Sequence, residues 1–157
     1  MPRGHFRFED NGTCPLVMVS AGTGITPIFS MLDYLALSPN SNPDRKIISI
    51  QMNRSSEYHP MKTHIDTLVK DKLITEAHVF YTRDCNGKGS NLSNTTIHSG
   101  RPSIESLQRI IGEDVGNAEF YFCGPNAFMK TFEEIFCDLG VHKNKMHSGR
   151  FGPELGN

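Results

Sequence analysis

Two segments constrain this chain more than any others. Leu16-Val17-Met18-Val19-Ser20-Ala21-Gly22-Thr23-Gly24-Ile25-Thr26-Pro27 is answered near the far end by Tyr121-Phe122-Cys123-Gly124-Pro125-Asn126-Ala127-Phe128-Met129. Each reads as an apolar strand, a glycine-containing turn and a helix. That succession builds parallel sheets, because parallel neighbours need a crossover and the helix supplies it. It also prepares a ligand site. The helix start offers backbone N–H groups without intrahelical partners and the positive end of the helix dipole, which suits a phosphate.

In the first segment Gly22 and Gly24 lack a Cβ, which allows a sharp turn and a close backbone approach by a diphosphate. Thr23 and Thr26 add hydroxyl donors, and Pro27 falls in the first helical turn, where a missing N–H costs nothing. Ile28, Met31, Leu32 and Leu35 then recur at helical spacing. The pattern is neither G-x-G-x-x-G nor G-x-x-x-x-G-K-[ST]. Alone, it fits a tight strand-to-helix connection as well as a phosphate cradle.

Strands are expected over Leu16 to Ser20, Lys46 to Gln51, Ala77 to Tyr81, Glu119 to Cys123 and Lys145 to His147. Helices are expected over Thr26 to Ala36, His59 to Lys70, Ser103 to Ile110 and Asn126 to Cys137. This alternation predicts an α/β fold, a three-layer doubly wound parallel sheet of about five strands. Ser38 to Asp44 reads as a loop. Asp84 to Arg101, rich in glycine, serine and asparagine, reads as a long mobile loop, either a lid or partner surface or an insertion without a catalytic part.

A chain of 157 residues with 37% hydrophobic content suits one domain. A net charge of −1 gives no footprint for nucleic acid or an anionic membrane. No apolar run approaches the roughly 20 residues of a membrane span, so a soluble, cytoplasmic protein is expected. Cys14, Cys85, Cys123 and Cys137 lack the spacing of a zinc site or a disulfide scaffold, and read as free thiols. Sequons at Asn11, Asn53, Asn91 and Asn94 receive no role without a secretory signal. None of His5, His59, His64, His78, His98, His142 and His147 falls in a recognised ligand spacing, and no G-x-S-x-G elbow is present. No metal is expected.

The pair Gly-Thr-Gly-Ile-Thr-Pro and Tyr-Phe-Cys-Gly-Pro-x-x-x-Met resembles the pyridine-nucleotide half of the ferredoxin-NADP reductase superfamily. Asn53-Arg54 and the tail Lys145 to Pro153 resemble most the reductase part of flavohaemoglobins and related flavin reductases. The likeness runs from Pro2 to about Pro153. It implies an NAD(P)-binding domain over 11–157. Pro2-Arg3-Gly4-His5-Phe6, within 1–10, resembles the peptide that ends the family's FAD-binding β-barrel. The barrel's own Arg-x-Tyr-[Ser/Thr] segment is missing, so the chain is expected to be an excised domain, a fragmentary product or a subunit meeting its flavin partner separately.

The resemblance implies roles by position. Residues Ala21, Gly22, Thr23, Gly24, Ile25, Thr26 and Pro27 hold the diphosphate. Cys123 lies beside the nicotinamide and aims it at the flavin, and Gly124, Pro125, Asn126 and Met129 frame the ring; residue type alone favours an ordinary buried thiol at Cys123. Asn53, Arg54, Thr82 and Arg83 follow the second and third strands, where the adenosine ribose is met. No acidic residue directly ends the second strand, and Arg83, with Arg54 as the alternative, suits a 2′-phosphate. NADPH and NADH both stay open, with the lean toward NADPH. Phe151 matches a residue that shields the flavin, or packs on its own domain. Partners implied are the FAD-binding barrel and a downstream haem or iron–sulfur acceptor. The competing class is a non-catalytic nucleotide-binding module that serves regulation or interaction.

Overall fold

The computed structural model describes residues 14–37, 44–84 and 94–149. Strand β1 (Leu16–Ala21) leads through a single 3-10 turn, Gly22–Gly24, into α1 (Ile25–Leu37). Then follow β2 (Ile47–Ser55), α2 (Lys62–Lys70), β3 (Glu76–Asp84), β4 (Thr95–Ser99), α3 (Ile104–Ile111), β5 (Glu119–Cys123), α4 (Asn126–Leu139) and β6 (Met146–Gly149). All pairings are parallel, in the order β4-β3-β2-β1-β5-β6. The sheet thus has six strands where sequence predicts about five. The addition is β4: Thr95, Thr96 and Ile97 are β-branched and pair with β3, inside a segment whose turn residues conceal them.

Both faces of the sheet are covered. Leu16 and Met18 on β1 pack with Ile28, Leu32 and Leu35 of α1 and with Ile65 and Leu68 of α2. Their neighbours Val17 and Val19 point the other way, against Phe132 and Phe136 of α4 and Leu107 of α3. That alternation is the period of two of a strand, and it makes β1, buried on both sides, the centre of the molecule. Each fully buried aliphatic side chain contributes about 1.5–3 kcal/mol. Helix α4 ends at Gly140, whose φ of 98° closes the helix, with the Val141 N–H donating to the Phe136 carbonyl at 2.9 Å.

The strands' N-terminal edge is closed by side chains. Arg45 donates through Nε to the Cys14 carbonyl at 2.7 Å, and Lys46 pairs with Asp114 at 2.8 Å. The hydrogen bond to Asp114 holds the Lys46 ammonium above its ordinary pKa despite the opposing cost of partial burial. Near the start of β5, Glu119 receives His147 at 2.6 Å.

At the opposite edge the two glycine turns meet. Strands β1 and β5 are paired, Ser20 opposite Cys123, so the turns that follow them are neighbours. A Cβ on Gly24 would overlap the Cys123 carbonyl oxygen, and would stand 2.5 Å from its carbon and 2.9 Å from the Gly124 Cα. Sequence reading gives Gly24 to the diphosphate; the structure gives it a packing reason, because backbone occupies the place of its side chain. Gly22 differs. Its φ of 57° is left-handed and open space surrounds the missing Cβ.

The two glycines should therefore respond unequally. Gly24→Ala is expected to cost about 3 kcal/mol or more, since backbone must move. Gly22→Ala is expected to cost about 1 kcal/mol, the left-handed penalty alone. Urea unfolding of both variants measures this, and equal losses would contradict the packing of the turns.

Candidate functional site

The chain leaves β1 toward β2 on one side and returns to pair β5 with β1 on the other, so the strand order reverses between β1 and β5. In open parallel sheets the crevice at the carboxyl ends of such strands is where ligands bind. Two helix N-termini border it. Neither Ala21, before the 3-10 turn, nor Pro125, before α4, supplies a side-chain cap, and neither first turn holds an acidic residue. Peripheral α3 differs: a reciprocal pair, Ser103 with Ser106, caps it. The two central helix starts therefore keep donors and positive potential facing the crevice.

The expected site residues divide by where their side chains lie. Thr23, Thr26, Pro125 and Asn126 are exposed at the crevice edge, with Pro27 and Gly124 half-buried. Ile25 is fully buried in the α1-side core and Met129 is 6% exposed in the α4-side core, so both serve packing. Their helical phase turns them inward. Cys123 ends β5 as expected, but its side chain is 2% exposed and packed on the α1 side, so its neighbours Gly124 and Pro125 form the surface there. Phe151, the 1–10 segment and Cys85 lie outside the described residues.

Asn53, Arg54, Thr82 and Arg83 do not follow their strands; they lie within them. Both β2 and β3 run on past the point where β1 turns away, the last β1 pairing being Ala21 with Met52. They extend because each supplies the other's partner, Asn53 opposite Tyr81, with a register shift before Ser55 pairs with Asp84. The Thr82 Oγ1 donates to the Asn53 carbonyl at 3.3 Å, while Arg54 and Arg83 are exposed. The paired ends form a polar wall beside the Gly22–Gly24 turn.

The wall's α1-side face is polar and deeply buried: Ser49, Gln51, Asn53 and Ser55 alternate along β2, with Ser20 beside them on β1. Ser20 Oγ and both amide atoms of Asn53 are buried with no hydrogen-bond partner. Orphaned groups of this kind cost about 1–3 kcal/mol each, and call for a partner at this edge. Thr95 Oγ1 is likewise orphaned, but at the start of β4, away from the crevice.

Sequence reading places His59 at the start of a helix and finds no role for it. In the structure α2 begins at Lys62, and His59 sits in the loop before it. Its Nδ1 lies 2.7 Å from the Tyr81 hydroxyl and its Nε2 lies 3.1 Å from Gln51 Oε1. Gln51 Nε2 donates in turn to the Pro60 carbonyl at 3.0 Å. Burial, helped by the nearby Lys62 charge and opposed by Asp66, pushes the imidazole pKa down to about 4. Neutral His59 therefore donates from one nitrogen and accepts at the other, pinning loop 56–61 onto β2 and β3. The signal available in sequence was Pro60, which disfavours helical backbone at the residue before it. Elsewhere His78 bridges His98 and Glu76, each at 3.0 Å. Among the described residues no group of three or more His, Cys, Asp or Glu could hold a metal.

The fold and its edge define a nucleotide-binding α/β domain of the ferredoxin reductase-like type. A family model described as the oxidoreductase NAD-binding domain matches residues 18–134, and the chain belongs to that family. It is 35% identical over 152 residues to a flavohemoprotein of Bacillus cereus (strain ATCC 10987 / NRS 248), covering 97% of this chain and 36% of that protein. A Bacillus subtilis (strain 168) flavohemoprotein is 29% identical, with 98% of this chain and 37% of that protein covered. The chain spans little more than a third of the length of these curated relatives. Among solved structures, the flavohem-like FAD/NAD-binding domain of nitric oxide dioxygenase from Vibrio cholerae O1 biovar El Tor superposes with a TM-score of 0.74 at 23% identity, over 97% of this chain and 56% of that one. The cytochrome b5 reductase domain of Ulva prolifera nitrate reductase gives 0.76 at 17%, over 95% and 58%. The chain is thus an NAD(P)H-binding domain homologous to the reductase domains of flavohaemoproteins. Among the described residues no helix is long and apolar enough to cross a membrane.

The His59 clamp carries a pH signature. A folded-state pKa of about 4 lies below the ordinary 6.5, so the unfolded chain takes up the proton first. Stability should be complete above pH 6.5 and fall as pH drops toward 4. A shift of that size corresponds to about 3 kcal/mol, reduced by solvent screening at a partly exposed site to about 1–2 kcal/mol. Urea unfolding of wild type and His59→Gln between pH 7 and 4 should show a shallower pH dependence in the variant.

Proposed function

We propose that this domain binds NADPH or NADH across the β1–β5 crevice and presents the nicotinamide to FAD held on a separate β-barrel module. The observation that carries the reading is the contact of the two turns: Gly24 lies against the Cys123 carbonyl, which sets two uncapped helix starts side by side. The nicotinamide supplies the hydride that FAD accepts. This chain's contribution is binding and aim. The backbone N–H groups of 22–24, with the hydroxyls of Thr23 and Thr26, take the diphosphate at the helix dipole's positive end. Gly124, Pro125 and Asn126 frame the nicotinamide, and Cys123 backs it from beneath. Cys123 is a positioning residue here, not a nucleophile.

On the adenosine side, Asn53 brings an amide whose polar atoms have no protein partner, and Thr82 fixes the backbone beside it. Exposed Arg54 and Arg83 flank the same strand ends and suit the 2′-phosphate of NADPH through forked, charge-assisted contacts. Phe151 is assigned the shielding of the flavin on resemblance alone. The FAD barrel and a haem or iron–sulfur acceptor are the partners this reading requires.

Titration calorimetry and reconstitution test it. Gly22→Val should abolish NADPH binding while the domain stays folded, because a branched side chain enters the open space over the turn. Cys123→Ala should keep nucleotide affinity within about twofold and slow flavin reduction about tenfold or more when mixed with a separately made FAD domain. Arg83→Ala should weaken NADPH more than NADH. A wild-type chain that binds nucleotide yet leaves the FAD domain oxidised would instead favour the regulatory module.

A further inference from the structure

Loop 56–61 is held with more order than a plain connection needs. His59 is tied to Tyr81 and Gln51, Gln51 ties down Pro60, and the Tyr58 N–H donates to the Ser55 carbonyl at 3.1 Å. Met61 closes the loop with a φ of 63°, a left-handed conformation uncommon for a side chain of its size and seen where surrounding contacts impose it. Between these fixed points stands Tyr58, 67% exposed. The other exposed aromatic among the described residues is Tyr34, near the C-terminal end of α1 at the opposite edge of the sheet. Tyr58 is therefore a large π surface displayed in water at the end of β2, on a loop whose neighbouring residues are anchored inward.

Resting on the nucleotide reading above, the geometry points to Tyr58 as the side chain that stacks on the adenine ring of the dinucleotide, with His59, Gln51 and Tyr81 holding it in place. Adjacent strands are about 4.8 Å apart, so the end of β2 lies roughly 10 Å from the β5 turn and one strand beyond the β1 turn. A dinucleotide with its nicotinamide over β5 and its diphosphate over β1 brings its adenosine to the ends of β2 and β3. Tyr58 stands three residues past β2, on the same edge as exposed Arg54 and Arg83. Stacking needs only a π face on each partner, so an exposed tyrosine held by its neighbours serves without a dedicated pocket.

The test uses the full chain with three probes: NADPH, ADP, which lacks nicotinamide, and nicotinamide mononucleotide, which lacks adenine. Tyr58→Ala should weaken NADPH and ADP about tenfold and leave nicotinamide mononucleotide unchanged. Tyr58→Phe should restore affinity, since the ring and not the hydroxyl does the stacking. The chain has no tryptophan, so Tyr58→Trp introduces a sole indole reporter whose fluorescence ADP should quench and nicotinamide mononucleotide should not. Circular dichroism of each variant should match wild type, the side chain being exposed. Wild type binding NADPH tightly with Tyr58→Ala equal to it would remove the stacking role and leave the nucleotide site standing. Wild type binding neither NADPH nor ADP would remove both.

Discussion

The contact of Gly24 with the Cys123 carbonyl sets the geometry on which the rest of the site depends. Parallel pairing of β1 with β5 brings two strand ends together, but pairing alone leaves open how the turns beyond them diverge. Direct contact of one turn's backbone with the other's settles it, and only a residue without a Cβ permits that approach. From there α1 leaves along one face of the sheet and α4 along the other, their starts converging and their bodies apart. A dinucleotide is a long molecule with a charged middle. An edge with two adjacent helix starts in its centre and a polar wall to one side matches that distribution.

The two edges of the sheet make opposite use of their polar groups. At the N-terminal edge Arg45 bonds to the Cys14 carbonyl, Lys46 pairs with Asp114 and Glu119 with His147, while Thr95 Oγ1 at the start of β4 has no partner. At the C-terminal edge the starts of α1 and α4 lack side-chain caps, and the side-chain polar atoms of Ser20 and Asn53 lack partners. The asymmetry is a property of binding proteins, in which groups left unsatisfied by the chain are satisfied by the ligand.

Sequence made the architecture legible where one period ran without interruption. Leu16 to Val19 and Phe120 to Cys123 carry no charged residue because both faces are buried, and Ile28, Met31, Leu32 and Leu35 mark the buried side of α1. Strand β4 escaped notice because an edge strand of five residues is half-exposed and carries no long apolar run. Arg54 and Arg83 look like residues beyond strand ends, because only the mutual pairing of β2 and β3 carries them onward, and pairing is not local information. The family motifs point to Gly24 for the ligand, and the fold adds a second reason for a glycine there, because backbone of the other turn occupies the place of its side chain. His59 lies eight residues from Gln51 and twenty-two from Tyr81, across a loop and two strands, so their network exists only in the fold.

Among the described residues, two of the three with orphaned buried side-chain polar atoms, Ser20 and Asn53, lie at the crevice edge. Left-handed backbone is spread more widely: Gly22 and Met61 hold it near this edge, and Lys72 holds it after the end of α2 at the other. Such local costs persist because the two hydrophobic layers around β1 over-determine the backbone that carries them. Stability and recognition are therefore separable along this chain: the core lies in the body of the sheet, and most site residues can change without reaching it. Ile25, Cys123 and Met129 reach into that core, and Gly24 is a further exception, since its missing side chain lets the two turns meet. At that position a loss of folding and a loss of binding have one cause.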